Sequence, residues 1–155
     1  MNRMSSLRRR LGPIGLAWLV AAAVAAAAVA SAAATVHVRA ELRSSAVVPR
    51  PVGALRASGS FSATFPAEGA RPRLLWTIIF GDLTGPAVEA DLHVGRPAVA
   101  GGVLFPLCRP CKSGQSGSTK LTQRGVRLIE SGRTYVELRT PKNPAGEIRG
   151  QVLVR

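Results

Sequence analysis

Negative charge is scarce in this chain, and so are the side chains that most catalysis needs. The 155 residues include eight Asp and Glu against 21 Lys and Arg, two histidines, two cysteines and one tyrosine, and aromatic residues make up 5%. Two histidines, His37 and His93, cannot build a histidine-rich copper or zinc oxidase site from one chain. Eight acids and two histidines allow few general acid–base pairs, and no Ser-His-Asp arrangement, paired-acid site or phosphate-binding Gly loop emerges. The few aromatics are not interleaved with the scattered basic residues, which argues against a nucleic-acid platform. These shortages point away from an enzyme and imply no cofactor and no metal.

Alanine and arginine, by contrast, crowd the N-terminus. Met1 to Arg10 carries Arg3, Arg8, Arg9 and Arg10, and an acid-free apolar run follows from Leu11 to Ala34. This is the pattern of a secretory signal peptide over residues 1–34, with cleavage after Ala32 or Ala34. The alternative is an uncleaved membrane anchor, since the run exceeds the roughly 20 residues that span a bilayer. Alanine is only weakly apolar, which favours cleavage. Either way the remaining domain, residues 35–155, lies outside the cytoplasm, and the membrane is met only through residues 11–34. Removing the segment takes away four arginines and no acid, so the formal net charge falls from +13 to +9. Such a charge favours an anionic cell-surface polymer as partner. Abundant Arg over Lys, with many Ala, Gly and Pro, is also what GC-rich coding produces.

Beyond residue 34 the pattern is of strands. Val36 to Leu42 alternates apolar and polar residues, and Ala57 to Phe65 is a second strand candidate. Leu74 to Phe80 is nearly continuous in apolar β-formers, so it is expected as a central strand covered on both faces. In Ala87 to Val94 the residues Val88, Ala90, Leu92 and Val94 face one way and Glu89, Asp91 and His93 the other. Gly101 to Leu107 gives a further strand, Cys108 to Ser118 reads as a Gly- and Ser-rich loop, and Thr122 is placed to cap a short helix through Ile129. Strands separated by Gly and Pro turns, with no long helical period, argue an all-β antiparallel sandwich or barrel-like single domain.

Two period-2 runs close the chain, Tyr135 to Thr140 and Glu147 to Val154, around the turn residues Pro141, Asn143, Pro144 and Gly146. Val136 and Leu138 point to one face and Tyr135, Glu137 and Arg139 to the other, so the apolar face is expected inside and the charges outside. This hairpin, Tyr-Val-Glu-Leu-Arg-Thr followed by Asn-Pro-Ala-Gly-Glu-Ile-Arg-Gly-Gln, resembles the CHRD (chordin) domain, and the likeness extends in order from about residue 36. The resemblance implies an extracellular, non-catalytic binding module, as in chordin, an antagonist of growth factors. It assigns Tyr135, Asn143, Pro144, Gly146, Glu147, Arg149, Gly150 and Gln151 as architectural motif positions. Where the family commonly has three histidines, this chain has Asp91, His93 and Arg139, so those three are expected to form a polar patch in which Asp91 and Arg139 pair.

Cys108-Arg109-Pro110-Cys111 has the spacing of a thioredoxin-type redox pair, but Lys112 to Gly117 lacks the apolar period of the helix that would lower the first thiol's pKa. A small disulfide loop formed in an oxidising compartment is the expectation. Taken together, the chain reads as an exported, non-catalytic module that binds an extracellular protein or an anionic surface polymer. The alternative is a small extracytoplasmic redox or metal-dependent enzyme using Cys108 and Cys111.

Overall fold

The computed structural model describes residues 34–155 except residue 70; the expected signal or anchor segment falls outside the described residues. Strand β1 (Thr35–Arg43) is followed by a 3-10 turn at Ser44–Ala46 and an irregular segment, then β2 (Ser58–Pro66) and β3 (Arg73–Gly81). After these come β4 (Glu89–Val94), β5 (Val103–Cys108) and β6 (Gln115–Lys120). Helix α1 (Gln123–Glu130) precedes the closing strands β7 (Thr134–Arg139), β8 (Ile148–Gln151) and β9 (Leu153–Val154). All pairings are antiparallel and form one sheet in the order β5-β4-β7-β8-β1-β2-β3-β6, with β9 also on β1.

Strand alternation gives this sheet an apolar face, and the sheet curls around it. Inward residues from every part of it, including Leu42, Phe61, Phe65, Ile78, Leu92, Val136 and Ile148, make one buried cluster. The result is a nearly closed barrel-like sheet and not the two stacked sheets of a sandwich. Its free edges are β5 and β6, and the segment between them is laced to both sides: Cys111 N donates to Ala87 O (3.0 Å) and Gly114 N to Ile78 O (2.9 Å). Helix α1 forms where its cap predicts. Thr122 Oγ1 accepts from Gly125 N at 3.1 Å, and Val126 and Ile129 are buried. Among the described residues no helix is long and apolar enough to cross a membrane.

Three expectations need correction. The run Leu74 to Phe80 is not a central, doubly covered strand: β3 lies next to edge strand β6, and Leu75 and Ile79 are 56% and 54% exposed on its outer face. A continuous apolar run does not report how many faces are covered. The strands buried on both faces are β4, β7 and β8, and the buried residues of β7 include the charged Glu137. Lastly, part of the Gly- and Ser-rich loop is strand β6, whose Gly117 leaves room for the Trp76 ring: a Cβ there would lie 2.2 Å from Trp76 Cζ2.

Candidate functional site

The register of β4, β7 and β8 decides which polar residues meet. Glu89 lies opposite Arg139, Asp91 opposite Glu137, Glu137 opposite Arg149, His93 opposite Tyr135 and Tyr135 opposite Gln151. Alternation puts all of them on the sheet face away from the apolar core. In an open sheet these side chains would be solvated. Here the segment 95–102 folds over them and supplies backbone partners. His93 Nδ1 donates to Gly101 O (3.0 Å) and Gly101 N donates to the Tyr135 hydroxyl (3.0 Å). Arg149 Nη2 donates to Arg96 O and Val99 O (3.1 and 2.8 Å), and Gln151 Nε2 to Gly95 O and Gly132 O (2.8 and 2.7 Å). The His93 ring stacks on Tyr135 with centroids 4.9 Å apart, and the Arg149 guanidinium lies 3.4 Å from the centroid of the same ring.

Arg139 is the hub of this face. Its guanidinium is 2.9 Å from Asp91, 3.4 Å from Glu89 and 3.5 Å from Glu137, and its Nη2 donates to His93 Nε2 at 3.3 Å. Arg109, between the two cysteines, adds a second cation to Glu89. Burial pushes the Asp91 and Glu137 carboxyls up, while Arg139 pulls each back. Burial lowers the His93 pKa, with help from the cations Arg139 and Arg149. His93 is therefore held neutral, with Nδ1 as donor and Nε2 as acceptor. Asp91 Oδ1 and Arg149 Nη1 have no hydrogen-bond partner among the described residues.

A second network surrounds Glu147, which is fully buried. Its carboxylate accepts from Thr84 N (2.5 Å), the Thr84 hydroxyl (2.6 Å), the Thr140 hydroxyl and Asn143 Nδ2 (3.0 Å). Burial alone would raise this carboxyl, but the bonds from Thr140, Thr84 and Asn143 outweigh it and hold the pKa below the ordinary value. The Asn143 side chain also clasps a distant segment, with Oδ1 accepting from Val52 N (2.7 Å) and Nδ2 donating to Val52 O (3.2 Å). Exposed Pro144 lies in the turn closed by Gly146 N on Asn143 O (3.1 Å).

The structure thus brings Asp91, His93 and Arg139 together, and places Tyr135, Arg149 and Gln151 in the same network. It does not join Glu147 to Arg149: one faces Thr84 and Thr140, the other the Tyr135 ring. Glu89, Arg109 and Glu137 are members that sequence reasoning did not include. The period-2 alternation of β4 and β7 already put Glu89 and Glu137 on the right face, whereas nothing in the sequence marks Thr84 or Val52 as partners of the closing turn. Cys108 and Cys111 are joined as a disulfide with Cα atoms 5.1 Å apart. Among the described residues no three His, Cys, Asp or Glu side chains gather as a metal-binding group. Asp91, His93, Glu137 and Glu147 are all at most 5% exposed, so they are poorly placed to meet a substrate.

A family model described as the CHRD domain matches residues 38–152. Neither the curated proteins nor the solved structures provide a match. The match runs from β1 to the end of β8, and within it Tyr135, Asn143, Glu147, Arg149 and Gln151 take part in the two buried networks. The chain belongs to the CHRD domain family.

Proposed function

We propose that the protein is an exported, non-catalytic CHRD-type module that binds an extracellular protein or an anionic polymer at the cell surface. The observation that carries this reading is how charge is divided between interior and surface. Asp91, Glu137 and Glu147 are buried, Glu41 is paired with Arg39 (3.1 Å), and Glu89 is held by Arg109 and Arg139. Only Glu68, Asp82 and Glu130 are then acids that are neither buried nor ion-paired among the described residues. The groups with perturbed pKa values are enclosed, and the accessible surface is more one-sidedly basic than composition suggests. Such a surface is suited to association and poorly suited to acid–base chemistry.

The test is capture of surface and extracellular fractions by the purified full chain, read beside the intact mass of the protein recovered from outside the cell. Expected are a mass lacking the N-terminal 32 or 34 residues and a captured partner that the Cys108→Ser/Cys111→Ser variant retains. A protein recovered only from the cytoplasm would contradict export. Loss of a measurable redox activity in that variant, with capture absent from both forms, would favour the enzyme reading.

A further inference from the structure

One cleft, of about 360 Å³, is lined by Arg43, Arg50 and Arg56 together with Ser44, Ser45 and Ser58, and no acid lines it. The topology builds it. Arg43 ends β1 directly opposite Ser58, the first residue of β2, so the mouth of this strand pair carries a cation and a hydroxyl side by side. Arg50 and Arg56 come from the segment that joins the two strands. That segment is fastened at several points: Val47, Ala54 and Ala57 are at most 3% exposed, and both backbone groups of Val52 are held by the Asn143 side chain. Asn143 is in turn bonded to buried Glu147. The motif of the closing turn therefore fixes the backbone that presents Arg50 and Arg56.

These arginines differ from those already engaged within the fold. Arg39, Arg109 and Arg139 are paired with carboxylates, Arg73 bonds to Ser118 and Arg149 is enclosed over Tyr135. Arg43, Arg50 and Arg56 have neither an ion pair nor a side-chain hydrogen bond among the described residues, and the same holds for the hydroxyls of Ser44, Ser45 and Ser58. Three uncompensated guanidiniums on a pinned backbone repel one another, and an anion with several charged oxygens relieves that repulsion while accepting their forked donors. The cations also continue beyond this cleft. An adjoining cleft shares Arg43 and Ser58 and adds Arg39 and Glu41, and another shares Arg56 and adds Lys142 and Asp82.

We propose that the Arg43–Arg50–Arg56 cleft binds the phosphate groups of a phosphate-bearing polymer, with Lys142 receiving a neighbouring unit. Three guanidiniums from separate points of the backbone suit a tetrahedral oxyanion better than a planar carboxylate. No aromatic side chain lines the cleft to stack a base, which separates this ligand from a nucleic acid. The assignment rests on the surface-binding reading above and names its ligand.

The test is binding of long-chain inorganic polyphosphate to the full chain, measured across a salt series beside inorganic phosphate and single-stranded DNA. The variant Arg43→Gln/Arg50→Gln/Arg56→Gln is compared with a charge-matched variant in and after α1, Arg124→Gln/Arg127→Gln/Arg133→Gln. All six positions are exposed, and a thermal melt establishes that both variants stay folded. The expected result is a loss of at least tenfold for the cleft variant and under threefold for the control. The slope of log K against log salt should fall by about 2 in the cleft variant, as the loss of three phosphate contacts requires. Equal losses in both variants would overturn the site, because net charge would then explain the binding. Polyphosphate binding no tighter than inorganic phosphate would overturn the polymer, and tighter binding of DNA would overturn the ligand class. Failure of the unaltered chain to bind polyphosphate, alongside capture of an extracellular protein, would reject this cleft assignment and leave the broader function standing.

Discussion

Arg139 reaches diagonally across the β4–β7 pair to Asp91 at 2.9 Å, a closer approach than the 3.4 Å to Glu89, the residue directly opposite it. The directly opposed pair at the centre is instead Asp91 and Glu137, two carboxylates whose repulsion the guanidinium between them relieves. Removing the cation should therefore cost more than removing either acid. Arg139→Ala is expected to destabilise by about 3 kcal/mol or more, because it strands buried carboxylates. A double-mutant cycle with Asp91→Ala should show a coupling of about 1 to 3 kcal/mol, measured from urea unfolding midpoints. Additive effects would show that the two residues act independently.

The pH dependence has parts of opposite sign. His93 titrates below its ordinary 6.5 in the folded state, so the unfolded chain binds the extra proton more readily. Its contribution to stability is present above pH 6.5 and is lost as pH falls through the folded value. Glu147, held below 4.5, loses its contribution only as pH drops further. Asp91 and Glu137 are raised above 3.8 and 4.5, so they regain stability on acidification. A glutamine at 93 can donate to Gly101 and accept from Arg139 without acquiring a charge. The His93→Gln variant should thus lose less stability than the wild type between pH 7 and pH 5, in urea midpoints read at each pH. Parallel curves would remove His93 as the source.

The alternation of β1, β2, β4 and β7, the Thr122 cap and the closing hairpin were all legible in the sequence because each depends on residues close together in the chain. The polar patch was legible only in part. Period 2 assigned Asp91, His93 and Arg139 to sheet faces, but their burial depends on segment 95–102, which carries no pattern announcing that it will fold back over the sheet. For the same reason Tyr135, Glu137 and Arg139 read as a solvated face. The cleft of Arg43, Arg50 and Arg56 was illegible for a different reason: arginines are spread through this chain, and only the clasp between Asn143 and Val52 shows which of them are gathered.

The disulfide spans a very short loop and should contribute about 2 kcal/mol by limiting the unfolded chain. It also places Arg109 beside Glu89 at the partly exposed end of the Arg139 cluster. Cys108→Ser/Cys111→Ser should remain folded but unfold at lower urea, and Arg109→Ala in the intact disulfide form should reproduce only a minor part of that change. Thiol titration of the denatured wild type should find no free thiol, and two free thiols would show that the bond does not form.

Gly150 tests whether the motif glycines are needed for space. A Cβ at this position would lie 2.2 Å from the backbone oxygen of Glu41 and 2.9 Å from Leu42 Cδ2, so no side-chain rotation relieves the contact. Either β1 or β8 must shift, and β8 carries Arg149 over Tyr135 beside the position that shifts. Gly150→Ala is expected to cost about 3 kcal/mol, the upper range for overpacking a tight site. Gly102→Ala is the matched control, since nothing lies within 4 Å of its added Cβ and its φ is not in the left-handed region. That change should stay within about 0.5 kcal/mol, as an unconstrained surface substitution does. Near-UV circular dichroism should separate the two further, because Gly150→Ala displaces the strand that stacks Arg149 on the chain's one tyrosine. Equal, small effects in both variants would mean that β1 and β8 can part freely, and the motif glycine would then need a reason other than close strand contact.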